Sequence, residues 1–148
     1  MFTGAARVIV TANQKKTIRK LANYCCEYCR LGEEDRAAKF QIDHIIPIKH
    51  GGEDTINNLC LACLLCNSYK GPNVATLDPA TGEATKLFDP RNQQWEVHFK
   101  IHTDATLIGL TPEGRATIQV LRINEESRVK QRIGLMKLGE YPCMPISN

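Results

Sequence analysis

Two pairs of cysteines at the same spacing, Cys26-x-x-Cys29 and Cys63-x-x-Cys66, are the most chemically pointed feature of this 148-residue chain. Two residues between cysteines let both thiolates of one turn reach a single ion, and two such turns complete a closed tetrahedral site of the structural zinc type. Cys60 makes a rival pair with Cys63. The second pair belongs at a strand-to-helix turn rather than within a strand, which favours Cys63 with Cys66. Between Cys29 and Cys63 lie 33 residues, against about 15–20 in a simple zinc ribbon, so a zinc ion here clamps the base of a larger insert.

That insert carries Asp43-His44. An adjacent carboxylate and imidazole at a strand end supply a hard oxygen ligand for a divalent cation beside a base that can take a proton from water. Asn67 offers a second oxygen, and Lys70, one helical turn later on the same face, is placed to meet a phosphate. A cation lined by oxygens beside a neutral histidine is the minimal equipment for phosphodiester hydrolysis. Two protein oxygens leave positions for water and phosphate, as Mg²⁺ prefers.

The elements that must hold these groups are legible in outline. Residues Thr11 to Tyr24 read as a helix, with Ile18, Leu21, Ala22 and Cys25 on one stripe and Lys15, Lys16, Arg19 and Lys20 mostly off it. Lys39 to Ile46 reads as a strand with a bend near Asp43, ended by Pro47, and Leu59–Ala62 as a second strand. Asn67 to Lys70 reads as one or two helical turns stopped by Gly71-Pro72. Further on, Asp78 to Glu83 is a turn between short strands and Trp95 to Ile101 a strand. Thr111-Pro112 opens a helix to about Ile123, and Asn124-Glu125-Glu126 caps a basic helix through Leu138. The tail from Glu140 is expected to be loose.

Composition bounds the rest. Hydrophobic residues at 43% and charged residues at 24% describe a globular chain. No apolar run is long enough to cross a bilayer, and Met1 to Arg7 lacks a signal-peptide core, so the expectation is a cytoplasmic protein with no membrane partner. The net charge of +3 is uneven: +5 over residues 1–30, −5 over 31–114 and +3 over 115–148. Basic flanks around an acidic centre suit a protein that grips a polyanion at its edges and a cation at its middle, though solvated helix faces give the same pattern.

Taken together and in order, Cys26-Glu27-Tyr28-Cys29, Asp43-His44-Ile45-Ile46-Pro47, Gly51-Gly52, Asn57-Asn58-Leu59 and Cys63 to Gly71 resemble the HNH endonucleases in their zinc-clamped form. The resemblance implies an α+β chain built on a ββα-metal core with two zinc knuckles, an N-terminal helix and a small α/β C-terminal extension. It reads as a single nuclease domain, with the core at about residues 12–75 and the extension at 76–148. It implies a DNA endonuclease leaving 5′ phosphates, with His44 as general base and Asp43 and Asn67 holding a catalytic Mg²⁺ or Mn²⁺. Asn58 would pin the loop between the strands, Lys70 would contact phosphate, and Cys26, Cys29, Cys63 and Cys66 would hold structural Zn²⁺. Asn67 stands where the family carries its final histidine, an HNN pattern similar to the HNH domain of RNA-guided CRISPR nucleases. Oxygen in place of nitrogen should shift preference away from Zn²⁺ or Ni²⁺. The rival reading is a non-catalytic zinc module that binds nucleic acid or protein, which leaves Asp43, His44 and Asn67 without a purpose.

Some residues are assigned blander roles. His50 reads as a loop histidine, Trp95 and His98 as packing of the extension on the core, and Cys25, Cys60 and Cys143 as buried or spare thiols. A nucleic-acid contact by His98 or His102 stays open, as it does for Lys15, Lys16, Arg19 and Lys20 of the first helix and for Arg128, Lys130, Arg132 and Lys137.

Overall fold

The computed structural model describes residues 10–35 and 38–145. Residues 1–9, read above for a signal segment, and the last three of the tail lie outside it. The elements are α1 (Ala12–Leu21), β1 (Gln41–His44), β2 (Leu59–Ala62), α2 (Leu64–Lys70), β3 (Ala75–Leu77), β4 (Ala84–Lys86), α3 (Trp95–His98), β5 (Phe99–Ile101), β6 (Leu107–Gly109), α4 (Pro112–Val120) and α5 (Glu126–Lys137). The strands pair as three antiparallel ribbons, β1–β2, β3–β4 and β5–β6. This is a mixed helix-and-ribbon α+β fold, and its first ribbon and α2 form a ββα unit.

Local chemistry explains where the elements start. Thr11 and Gln14 form a reciprocal capping box on α1. Cys63 caps α2, its sulfur accepting from the Cys66 amide. Thr111 caps α4, with Pro112 at the first helical position. α1 ends with Asn23 and Tyr24 both in the left-handed region, which turns the chain straight into the first cysteine knuckle.

In the first ribbon Asp43 faces Cys60 and His44 faces Leu59. The pairing is regular through residues 41–44 with Asp43 on the buried side, and the expected bend comes just after it, at Ile45 and Ile46, where β1 has ended. All four residues of β2 are buried. Between the strands, the left-handed Gly51 ends the turn Ile48–His50. At Gly52 a Cβ would sit 1.7 Å from the Ile46 carbonyl oxygen and 2.8 Å from Asn58 Nδ2. Only glycine lets the loop close that tightly.

The buried core runs without a break from Ile18, Tyr28 and Leu61 through Phe88, Trp95 and Phe99 to Leu121, Ile123 and Tyr141. The strand expected over residues 95–101 forms only at Phe99–Ile101, and Trp95 opens a short helix before it. Its indole nitrogen donates to the Tyr28 carbonyl at 2.8 Å, and the Arg30 guanidinium lies over its ring. α4 ends at Val120, short of the expected Ile123.

Over its described residues, 140–145, the tail is held in place rather than loose. Cys143 is bridged to Cys25, the Tyr141 hydroxyl donates to the Cys29 carbonyl, and Asn23 donates to the Met144 carbonyl. Cys25 and Cys143 are therefore a disulfide pair, not spare thiols. The two lie 118 residues apart in sequence, so nothing local announces the pairing.

Candidate active site and metal centre

The sulfurs of Cys26, Cys29, Cys63 and Cys66 all lie within 4.8 Å of one another, and all four residues are buried. Cys29 and Cys63 are 3.8 Å apart, the edge of a tetrahedron with metal–sulfur bonds of about 2.3 Å. Burial pushes the Cys26 and Cys66 thiols up, whereas hydrogen bonds from Cys26, Cys63 and Cys66 hold the Cys29 thiol down. Four sulfurs packed this closely, with little to solvate their charge, fit a zinc ion that neutralises them together. Cys60 is not part of the group: its thiol points to the Tyr28 hydroxyl and Asp43.

Two surrounding groups brace the knuckles. Glu27, inside the first knuckle, accepts the Leu61 amide at 2.8 Å and pairs with Arg91 through both carboxylate oxygens. Burial nonetheless raises the Glu27 pKa, with Arg91 opposing. Arg128, from α5, donates to Cys66 Sγ at 3.0 Å and also approaches Cys63 Sγ. Burial opposes its charge and the thiolates more than offset that, so its pKa lies above the ordinary arginine value. Arg128 and Arg132 are both buried, Arg132 bonding the carbonyls of Ala105 and Ile123. Neither is free to follow a nucleic-acid backbone. Sequence reading missed this role because the sulfur partners of Arg128 stand more than 60 residues away.

The ββα unit holds the second group of residues. Asp43 Oδ2 accepts from the Tyr28 hydroxyl at 3.2 Å and from Lys70 Nζ at 3.1 Å. Asp43 Oδ1 has no hydrogen-bond partner among the described residues, and neither does the side-chain amide of half-buried Asn67. Burial raises the Asp43 pKa while the Lys70 ammonium pulls it back. Burial likewise pushes the Tyr28 phenol well up, keeping it a neutral donor.

Lys70 departs from its expected role. Its side chain is 1% exposed and its ammonium bonds to Asp43 and, at 2.9 Å, to the His44 carbonyl, so it is turned inward rather than offered to a phosphate. A lone buried carboxylate is costly, and Lys70 compensates it. By reaching β1, Lys70 also pins the face of α2 that carries Asn67 against the Asp43–His44 end of the strand.

His44 is one-fifth exposed, and its Nε2 lies 2.5 Å from Oδ1 of nearly buried Asp54. Sequence reading missed Asp54, which sits unmarked in a polar loop ten residues on. Asn58 bonds the loop as the resemblance implied: its side chain accepts from the Ile46 amide and donates to the carbonyls of Ile46 and Glu53. His50 is exposed and lines a cleft of about 380 Å³ with Ile45, Ile46 and Lys70. His98 is buried against Phe88 and bonded to Thr111, and so cannot touch nucleic acid.

No curated protein and no solved structure matches the chain. Residues 26–73 match the family described as HNH endonuclease. The match begins at the first knuckle, spans both strands and the pinned loop, and ends just beyond Lys70. Over this segment the chain is similar to the HNH endonucleases.

Proposed function

We infer that the protein is a metal-dependent nuclease that hydrolyses phosphodiester bonds within DNA, with His44 as general base and Asp43 and Asn67 as ligands of a catalytic cation. One observation carries the reading: Asp43 has one oxygen locked by Tyr28 and Lys70, while its other oxygen and the Asn67 amide lack partners among the described residues, beside a partly exposed histidine. Two neutral or anionic oxygens suit Mg²⁺ or Mn²⁺ better than Zn²⁺. A cation bound there neutralises charge on the phosphate and on the departing 3′ oxygen.

The chain's own residues do the rest. His44 takes a proton from water, the water oxygen bonds to phosphorus, the bond to the 3′ oxygen breaks, and that oxygen takes a proton from solvent. The product carries a 5′ phosphate. Asn58 holds the loop that sets the position of His44, and the zinc knuckles fix α2 against β1. The whole of residues 1–148 is read as one unit, since Arg91, Trp95, Arg128 and Tyr141 from the extension all bond to the knuckle segments or β2.

Nicking of supercoiled plasmid is the test. We expect cleavage with Mg²⁺ or Mn²⁺, none in chelator, and a loss of at least about a hundredfold in His44→Ala with zinc content unchanged. Wild-type rates in that variant would remove His44 from the mechanism. Activity with Zn²⁺ alone would overturn the metal preference, and no nicking with any of these metals would favour a non-catalytic module.

A further inference from the structure

The loop between the two strands does more than close the ribbon: it delivers a carboxylate to the ring of His44. Asp54 Oδ1 lies 2.5 Å from His44 Nε2, and the Asp54 side chain is 6% exposed against 20% for the imidazole. We propose that Asp54 is a positioning residue for His44: it fixes the ring and holds the Nε2–H tautomer, so that Nδ1 carries the lone pair that meets water. The inference rests on the reading of His44 as general base.

Three features support it. A carboxylate accepts, so a neutral ring paired with it donates from Nε2 and carries its lone pair on Nδ1. The loop that carries Asp54 is fixed at several points. Asn58 Nδ2 holds the Glu53 carbonyl, Gly52 allows the close pass over Ile46, and Gln14 Nε2 donates to the Asp54 carbonyl at 2.8 Å. Gln14 is itself held in the capping box of α1. The pair thus joins β1, the loop and the N-terminal helix. Finally, Lys70 bonds the His44 carbonyl, so backbone and ring of His44 are each held by a different partner. An imidazole restrained in this way spends less of its time turned away from the attacking water.

The experiment compares the full zinc-loaded chain with Asp54→Ala, Asp54→Asn, His44→Ala and the His44→Ala/Asp54→Ala double variant. Plasmid cleavage is followed as kcat and KM, Mn²⁺ binding by electron paramagnetic resonance, and the His44 ring by ¹⁵N NMR. We expect wild-type His44 to give the ¹⁵N pattern of the Nε2–H tautomer and Asp54→Ala to give a mixture. We expect kcat to fall about ten- to hundredfold in both Asp54 variants, with KM and Mn²⁺ affinity changed less than about twofold. Adding Asp54→Ala to His44→Ala should cost nothing more, because the two residues act as one unit. Wild-type kcat in both Asp54 variants, an unchanged tautomer, or lost Mn²⁺ binding would overturn the assignment, the last by making Asp54 a metal ligand. If His44→Ala cleaves normally, the general-base reading fails. If His44→Ala is inactive while Asp54→Ala is normal, the inference alone fails.

Discussion

Asp78 shows how a single side chain can hold a structural unit. It begins the turn between β3 and β4, where its carboxylate accepts from the Ala80 amide, the Thr81 hydroxyl and two nitrogens of Arg115 on α4. The paired Arg115 guanidinium holds the Asp78 carboxyl well below the ordinary range. A carboxylate with a depressed folded pKa contributes stability that is complete above its unfolded value, about pH 4, and is lost as pH falls below it. Asp78→Asn should therefore lower the melting temperature at pH 7, and the gap to wild type should narrow as pH drops from 4 toward 2. Thermal denaturation across that range checks it; a gap that stays constant would show that the carboxylate charge is not what matters. The same logic of one residue meeting several donors applies at Asp43, whose Oδ2 meets both Tyr28 and Lys70.

At the scale of elements, α5 is the clearest departure from what periodicity predicts. Its basic residues divide into two populations: Lys130 and Lys137 face solvent, while Arg128 and Arg132 are buried and donate to backbone carbonyls or sulfur. The helix is thus a brace for the second cysteine knuckle, not a basic surface strip. Hydrogen bonds to metal-bound thiolates steady their charge, and loss of such outer partners typically costs about ten- to a hundredfold in metal affinity. We expect Arg128→Ala to release zinc to a chelator at about ten- to a hundredfold lower competitor concentration than wild type. Unchanged zinc retention would reduce Arg128 to packing. For the ββα unit, by contrast, the helix-capping cysteine, the paired strands and the glycine pair are all local features. There the elements expected from the sequence and those observed differ only at their ends.

Over the whole molecule, the C-terminal half closes back on the first knuckle. Trp95 reaches Tyr28, Tyr141 reaches Cys29, Arg91 reaches Glu27, and Cys143 is bonded to Cys25. A disulfide stabilises chiefly by restricting the unfolded chain, typically by about 2–4 kcal/mol and toward about 5 for a loop this long. Cys143→Ser should lose stability of about that size in urea denaturation without reductant, and wild type in reductant should approach the variant. Equal stability of the two proteins under oxidising conditions would mean that the bridge does not form in solution. Each of these links joins residues more than 60 positions apart in the chain.

That separation marks what the amino-acid order could decide by itself. The spacing of Cys26, Cys29, Cys63 and Cys66, the Asp43-His44 pair and the helix phase of Asn67 and Lys70 are short-range relations, set by turn, strand and helix geometry over a few residues. They determined the metal knot and the ββα unit. Which way Lys70 would point, that Asp54 would meet His44, that Arg128 would donate to sulfur and that Cys25 would find Cys143 were left to tertiary structure. Lys70 turns inward because the buried carboxylate of Asp43 needs a counter-charge, and Arg128 because buried thiolates need donors. Such demands arise only once packing has removed water, and no local pattern in the chain records them.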